Sequence, residues 1–110
     1  MIVALDVYYH QAAAKAVGVT FAAWHSAELT SSHETVLTKL EPYEPGAFYK
    51  RELPCLLAVL EQIDLAAADC LVVDGYVVLD DAGRPGLGWH LYQQLQEKIP
   101  VFGVAKTRFF

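Results

Sequence analysis

The chain has 110 residues, of which 55% are hydrophobic, and its formal net charge is −5 at pH 7. This size and composition predict one small hydrophobic core and a single soluble domain over residues 1–110. No apolar run approaches the ~18–20 residues of a membrane helix, and the N-terminus lacks the basic region and cleavage site of a signal peptide. We therefore expect a cytoplasmic protein without membrane contact. The acidic balance argues against a protein whose main task is coating nucleic acid, because phosphate neutralisation needs clustered Lys and Arg.

The first forty residues predict three strands. Ile2–Tyr9 is rich in Ile, Val, Leu and Tyr and is too short for a typical helix, Ala16–Trp24 predicts a second strand, and Ala27–Leu40 contains a third. Short polar turns between them predict an antiparallel meander. Asp6 is the one charged residue in the first strand. An apolar setting makes such a carboxylate costly, on the order of several kcal/mol, unless it is paired, hydrogen-bonded or bound to a metal.

A helix is predicted over Ala47–Ile63, where apolar residues recur every three or four positions. Pro54 interrupts this stretch and predicts either a kink or a helix that starts there, because proline lacks a backbone donor and disfavours helical geometry in the residue before it. Cys55 and Cys70 have no CxxC spacing. Two buried thiols are the favoured interpretation, with a disulfide or a metal site as the alternatives.

The remaining elements alternate between strand and helix. Cys70–Asp74 predicts a short buried strand that is parallel to a neighbour. The four-residue spacing of Leu87, Leu91 and Leu95 predicts a second helix, and Pro100–Ala105 predicts the last strand. The order βββαβαβ predicts an α/β fold of the ribonuclease H-like type, with a mixed sheet and helices packed on it.

Two of the predicted strands end in an aspartate. If the first and fourth strands are parallel neighbours, Asp6 and Asp74 meet at the edge where open α/β sheets bind ligands. Two adjacent carboxylates repel one another, so the pair makes physical sense mainly with a divalent cation between them. Glu52 would add a third oxygen ligand if the first helix packs over this edge. The alternative is that the aspartates cap turns, since Asp74-Gly75 is also a turn signal.

Five stretches resemble, in order and spacing, the conserved blocks of the endonuclease V family. The YxPGxFxxRExP and GVAK blocks are the most specific, and the resemblance spans nearly the whole chain. The stretches are LDVYY (Leu5–Tyr9), YEPGAFYKRELPCLL (Tyr43–Leu57), VVDGY (Val72–Tyr76), GLGWHL (Gly86–Leu91) and IPVFGVAKTRF (Ile99–Phe109).

The resemblance implies a ribonuclease H-like fold and Mg²⁺-dependent cleavage of DNA or RNA near a deaminated base such as inosine, with Mn²⁺ as an alternative cation. It assigns Asp6, Glu52 and Asp74 to the catalytic metal site. Lys106 matches a lysine that would hold a phosphate or the attacking water near that site. Tyr43 matches the wedge that enters the nucleic acid beside the lesion, where unstacking is least costly at a mispaired base.

Each further assignment has a structural alternative. Tyr43 could be a turn aromatic packed on the domain, and Lys106 an ordinary lysine at the end of a strand. His90 matches a family histidine and is a candidate for supporting the site from behind the metal ligands. On a helix, however, a histidine satisfied by packing is the more common case.

The sequence also departs from the family pattern. Tyr76–Asp81 replaces a stretch with two histidines that normally helps to build the lesion pocket, and the chain stops soon after GVAK, where the family continues through a further strand and helix. These features mark a short, divergent member, and they favour either association into a homo-oligomer through an incomplete C-terminal side or a missing continuation of the chain. Two functions remain open: a metal-dependent endonuclease, or a non-catalytic or altered-specificity module that binds nucleic acid or protein.

Overall fold

The computed structural model describes residues 1–40, 49–75, 77 and 83–104. The mixed α/β, ribonuclease H-like architecture expected from the element order is confirmed. The elements are β1 (Ile2–His10), β2 (Ala13–Phe21), β3 (Ser31–Leu37), α1 (Tyr49–Leu60), a 3-10 helix (Leu65–Ala67), β4 (Cys70–Asp74), α2 (Leu87–Gln94) and β5 (Val101–Val104).

The five strands form one sheet in the order β3-β2-β1-β4-β5. The first three strands pair antiparallel, as the short turns predicted. β4 is parallel to β1, and β5 is parallel to β4. The register pairs Leu5 of β1 with Val73 of β4, and this pairing brings the following residues, Asp6 and Asp74, to the same edge.

One strand boundary was predicted wrongly, and one of the two alternatives at Pro54 is excluded. β2 covers Ala13–Phe21 and not Ala16–Trp24, because β1 continues to His10 and returns through a tight turn in which Gln11 has φ 55°. The alanine-rich sequence there holds no Gly, Pro, Asn or Asp to signal this turn. The first helix does not start at Pro54, since α1 runs from Tyr49 through Pro54 to Leu60. Packing of its apolar face stabilises the helix enough to offset the missing backbone donor.

Both described helices pack on one face of the sheet and cover a single core. The side chains of Leu56, Leu71 and Leu91 are fully buried there, and each contributes about 1.5–3 kcal/mol through removal of apolar surface from water. Cys55 and Cys70 are buried free thiols, as predicted. None of the described helices combines the length and apolar character needed to span a membrane.

The opposite face of the sheet carries several exposed apolar side chains. Side chains alternate between the faces of a strand, and the register places Tyr8, Val36, Phe102 and Val104 on the face away from α1. The Trp24 ring lies edge-on to that of Phe102, with 6.1 Å between the ring centroids. Trp24 remains 64% exposed and Phe102 52% exposed, so this face presents aromatic surface to solvent.

Candidate active site

Asp6 and Asp74 lie side by side at the carboxyl end of β4. Asp6 directly follows Leu5, and Asp74 directly follows Val73. Leu5 and Val73 are the last residues that pair across the two parallel strands. β1 continues to His10 and stays paired with β2, whereas its pairing with β4 ends at Leu5. Asp6 is therefore the first residue of β1 beyond the pairing with β4. Both carboxylates are exposed, and Oδ1 of Asp6 accepts a hydrogen bond of 2.9 Å from the N–H of Val7. The predicted adjacency of the two strands is confirmed.

Glu52, in the first turn of α1, lies near both aspartates at this edge of the sheet. It lies with them on one pocket, whose remaining lining is mainly apolar: Leu5, Val7, Leu56, Val73 and Leu87. Burial raises the pKa of Glu52 to about 7, with further contributions from the negative charges of Asp6 and Asp74. The pocket therefore brings three carboxylates together in surroundings that disfavour three simultaneous negative charges.

The three carboxylates are neighbours across this pocket and not a closed ligand set. Within residues 1–40, 49–75, 77 and 83–104, no group of three or more His, Cys, Asp or Glu side chains has an arrangement that could hold a metal ion. The chemistry of the donors nevertheless fits a hard divalent cation, because Mg²⁺ and Ca²⁺ prefer carboxylate oxygens. A cation would also offset the repulsion that raises the pKa of Glu52.

His90 is not among the residues that line the pocket. Its ring stacks on that of Tyr49, with 3.5 Å between centroids and 13° between planes. Tyr49 is one helical turn before Glu52, and His90 is one turn after Leu87, so the stack joins α1 to α2 just beneath the pocket. Burial lowers the pKa of His90. The sequence singled out His90 but missed Tyr49, whose only signal was its three-residue spacing from Glu52.

Arg51 and Tyr9 form a second contact that the sequence did not predict. The guanidinium carbon of Arg51 lies 4.4 Å from the centroid of the Tyr9 ring, which is within the range of a cation–π interaction. The pKa of Tyr9 is raised to about 12, chiefly by burial and then by the charge of Glu52. Among the described residues, Arg51 Nε and Tyr9 Oη are buried without a hydrogen-bond partner. Arg51 thus packs on the Tyr9 ring, next to Glu52 in α1.

Three sequence predictions lie outside the described residues. These are the wedge Tyr43, the phosphate-holding Lys106 and, apart from Val77, the divergent stretch Tyr76–Asp81. They stay predictions from the family resemblance.

Comparison with known proteins gives one family. The endonuclease V family model matches residues 1–110. The catalytic domain of human endonuclease V is similar in structure, with a TM-score of 0.77 and 26% identity over 96% of this chain and 44% of that chain. Ciona intestinalis endonuclease V was solved with a 24-mer DNA containing an inosine followed by a ribo-adenosine. Its TM-score is 0.73, with 21% identity over 96% of this chain and 45% of that chain. Endonuclease V from Bacillus subtilis has a TM-score of 0.70 and 21% identity over 96% of this chain and 44% of that chain.

These matches agree with the fold described above. Each match covers 96% of the present chain and less than half of the solved chain. Because the family model matches every residue from 1 to 110, the chain belongs to the endonuclease V family.

Proposed function

We propose that this chain is a Mg²⁺-dependent endonuclease that cleaves a phosphodiester bond near a deaminated base, such as inosine, in DNA or RNA. Mn²⁺ is the alternative cation. The observation that carries the proposal is the meeting of Asp6, Glu52 and Asp74 on one pocket, where two of the three charges raise the pKa of the third. A module that only binds nucleic acid has no physical need for three converging carboxylates.

The three carboxylates would act as the metal ligands. A divalent cation held by these residues would supply activation of the attacking water and neutralisation of charge on the leaving oxygen. Asp6 lies on β1, which pairs with β2 on both sides of Asp6. The buried side chain of Leu56 lines the pocket together with Glu52. This apolar support limits water around Glu52, which favours a preorganised position for that carboxyl group.

The substrate is inferred from the family. The Ciona intestinalis relative was solved with DNA that contains an inosine, and this supports a nucleic acid with a deaminated purine as the partner of the present chain. Tyr43 would enter the strand beside the lesion, at a cost of about a few kcal/mol that a mispaired base reduces. Lys106 would hold a phosphate or the attacking water.

Cleavage of an oligonucleotide with a single inosine, in the presence of Mg²⁺, tests the proposal. The chain should give a product that depends on both the inosine and the cation, and Asp6→Ala should abolish that product. Glu61→Gln is the matched control, because Glu61 is an exposed carboxylate at the end of α1 that does not line the pocket.

Two outcomes would count against the endonuclease. Equal cleavage by the chain and by Asp6→Ala would identify a contaminating nuclease. Absence of inosine-dependent product would favour the second candidate, a non-catalytic or altered-specificity module that binds nucleic acid or protein. That candidate is favoured by the lack of a closed ligand set among the described residues. It predicts a gel shift of the inosine oligonucleotide that persists with chelator.

Three further expectations stay predictions: a single domain over residues 1–110, a cytoplasmic location and a homo-oligomer. The aromatic surface formed by Trp24 and Phe102 on the sheet face away from α1 supports the last of these. Sedimentation equilibrium gives the mass of the particle, and Trp24→Ser with Phe102→Ser should shift it towards the monomer. A monomer at all concentrations would contradict the oligomer.

A further inference from the structure

Gly75 and Val77, the described residues of the segment that follows Asp74, are each held by a backbone hydrogen bond. The N–H of Gly75 donates to the carbonyl oxygen of Val104 in β5 over 2.7 Å. The carbonyl oxygen of Val77 accepts from the N–H of Gly86, just before α2, over 2.8 Å. Gly75 has φ 125°, a conformation that side chains rarely adopt. Gly75 and Val77 therefore lie between β5 and α2.

Two other glycines make this close approach sterically feasible. A methyl group at Gly103 of β5 would overlap with the carbonyl oxygen of Gly75 and lie 3.1 Å from the backbone nitrogen of Val77. A methyl group at Gly88 of α2 would lie 2.7 Å from Cγ2 of Val77 and 3.1 Å from its Cα. Each methyl group would approach Gly75 or Val77 more closely than ordinary van der Waals contact allows. Either substitution would therefore displace these residues.

We propose that Gly88 and Gly103 are positioning residues for Asp74, because the absence of their side chains seats the segment after Asp74 between α2 and β5. Asp74 is bonded directly to Gly75, so a displaced segment moves its carboxylate relative to Asp6. Gly88 also follows Leu87, which lines the pocket. The inference rests on the proposed function, in which Asp74 is a ligand of the cation.

The two glycines differ in a way that makes the idea testable. The clash of Gly88→Ala is mainly with a side-chain carbon of Val77, and Val77→Ala removes that carbon. The clash of Gly103→Ala is with the backbone oxygen of Gly75, which no substitution removes. Val77→Ala should therefore rescue Gly88→Ala and leave Gly103→Ala impaired.

Amide hydrogen exchange in the metal-free chain is the primary measurement. Gly103→Ala should raise the exchange rate of the Gly75 N–H, while amides of the β1–β2 pair stay protected. Gly88→Ala should raise it as well, and the double variant with Val77→Ala should return towards the original rate. Gly18→Ala is the control, because the atoms nearest to its methyl group would be side-chain carbons of Ile63, Leu5 and Val59, none of which belongs to Gly75 or Val77. It should leave the Gly75 rate unchanged.

Kinetics and calorimetry connect the exchange result to the site. Each positioning variant should lower kcat for the inosine oligonucleotide by about tenfold to a hundredfold, with little change in KM, since small displacements of reacting groups have effects of that size. Mg²⁺ should bind more weakly, and Val77→Ala should restore both quantities only in the Gly88→Ala chain. Unchanged Gly75 exchange in both single variants would overturn the inference. Failure of the original chain to bind Mg²⁺ would instead defeat the proposed function, and the exchange data would still decide whether the glycines seat the segment.

Discussion

Glu52 and Asp6 come from a helix and a strand, yet their negative charges lie close enough for Asp6 to be the largest charge contribution to the raised pKa of Glu52, after the effect of burial. The pocket thus holds a carboxyl group that titrates near neutral pH beside two carboxylates. This arrangement weakens the folded state when the site is fully ionised, and it gives several measurable consequences.

The first prediction concerns the pH dependence of stability. The pKa of Glu52 is raised from 4.5 to about 7 on folding, so between these values the folded chain keeps a proton that the unfolded chain has lost. Stability therefore falls as pH rises through this window. In chelator, Glu52→Gln should increase the free energy of unfolding above pH 7 by on the order of 1 kcal/mol, since partial exposure screens part of the effect.

Urea denaturation from pH 4 to 8 measures this effect. The curves of the original chain and Glu52→Gln should converge at the acidic end and separate above neutrality. A constant separation at every pH would mean that the substitution acts through packing and not through the charge.

The second prediction separates burial from charge at Glu52. Asp6→Asn removes one of the two repelling charges, so the pKa of Glu52 should fall but stay above its ordinary value, because burial is the larger cause. Carboxyl ¹³C chemical shifts in the metal-free chain report this titration directly. Glu61→Gln should leave the titration where it is, and an unchanged Glu52 titration in Asp6→Asn would show that the two side chains do not interact.

The third prediction concerns the apolar support of the pocket. Leu56 is only 1% exposed and lies between the core and the pocket. Leu56→Ala should lower the free energy of unfolding by about 2–5 kcal/mol through lost burial and an unfilled cavity. Leu29 is 58% exposed, so Leu29→Ala should change it by less than about 0.5 kcal/mol. Similar effects in the two variants, measured by urea denaturation, would contradict the assigned core.

The fourth prediction concerns the stack of His90 on Tyr49. Burial lowers the pKa of His90, so as pH falls below the ordinary value of 6.5 the unfolded chain takes up a proton before the folded chain does. Stability should therefore decrease towards acid, opposite in sign to the effect of Glu52. His90→Phe keeps an aromatic partner for Tyr49 and should remove this acid dependence.

The Glu52→Gln background isolates the histidine effect, because it removes the opposing titration. In that background His90→Phe should flatten the stability curve between pH 5 and 7, whereas His90→Ala should also lower stability at neutral pH through loss of the stacked contact. Retention of the acid dependence in His90→Phe would show that another group causes it.

Local sequence patterns were sufficient to predict most elements and the three carboxylates. A short run rich in Ile, Val, Leu and Tyr predicted β1, alternation predicted β3, and apolar residues every three or four positions predicted both helices, because side-chain periods are properties of the local backbone. The pattern failed at the turn after His10, where β2 begins without a turn residue, and at Pro54, which α1 accommodates through its packing.

The chain's own sequence therefore determined the residue types of the site and the secondary structure on which each lies. Tertiary structure alone decided that β4 pairs with β1 in the register that puts Asp74 beside Asp6, that α1 carries Glu52 onto both, and that Tyr49 stacks on His90. These relations join distant parts of the chain. They arise because the apolar faces of α1, α2 and the sheet are buried in one core. Local periodicity predicts each face, but it does not predict how the faces pack together.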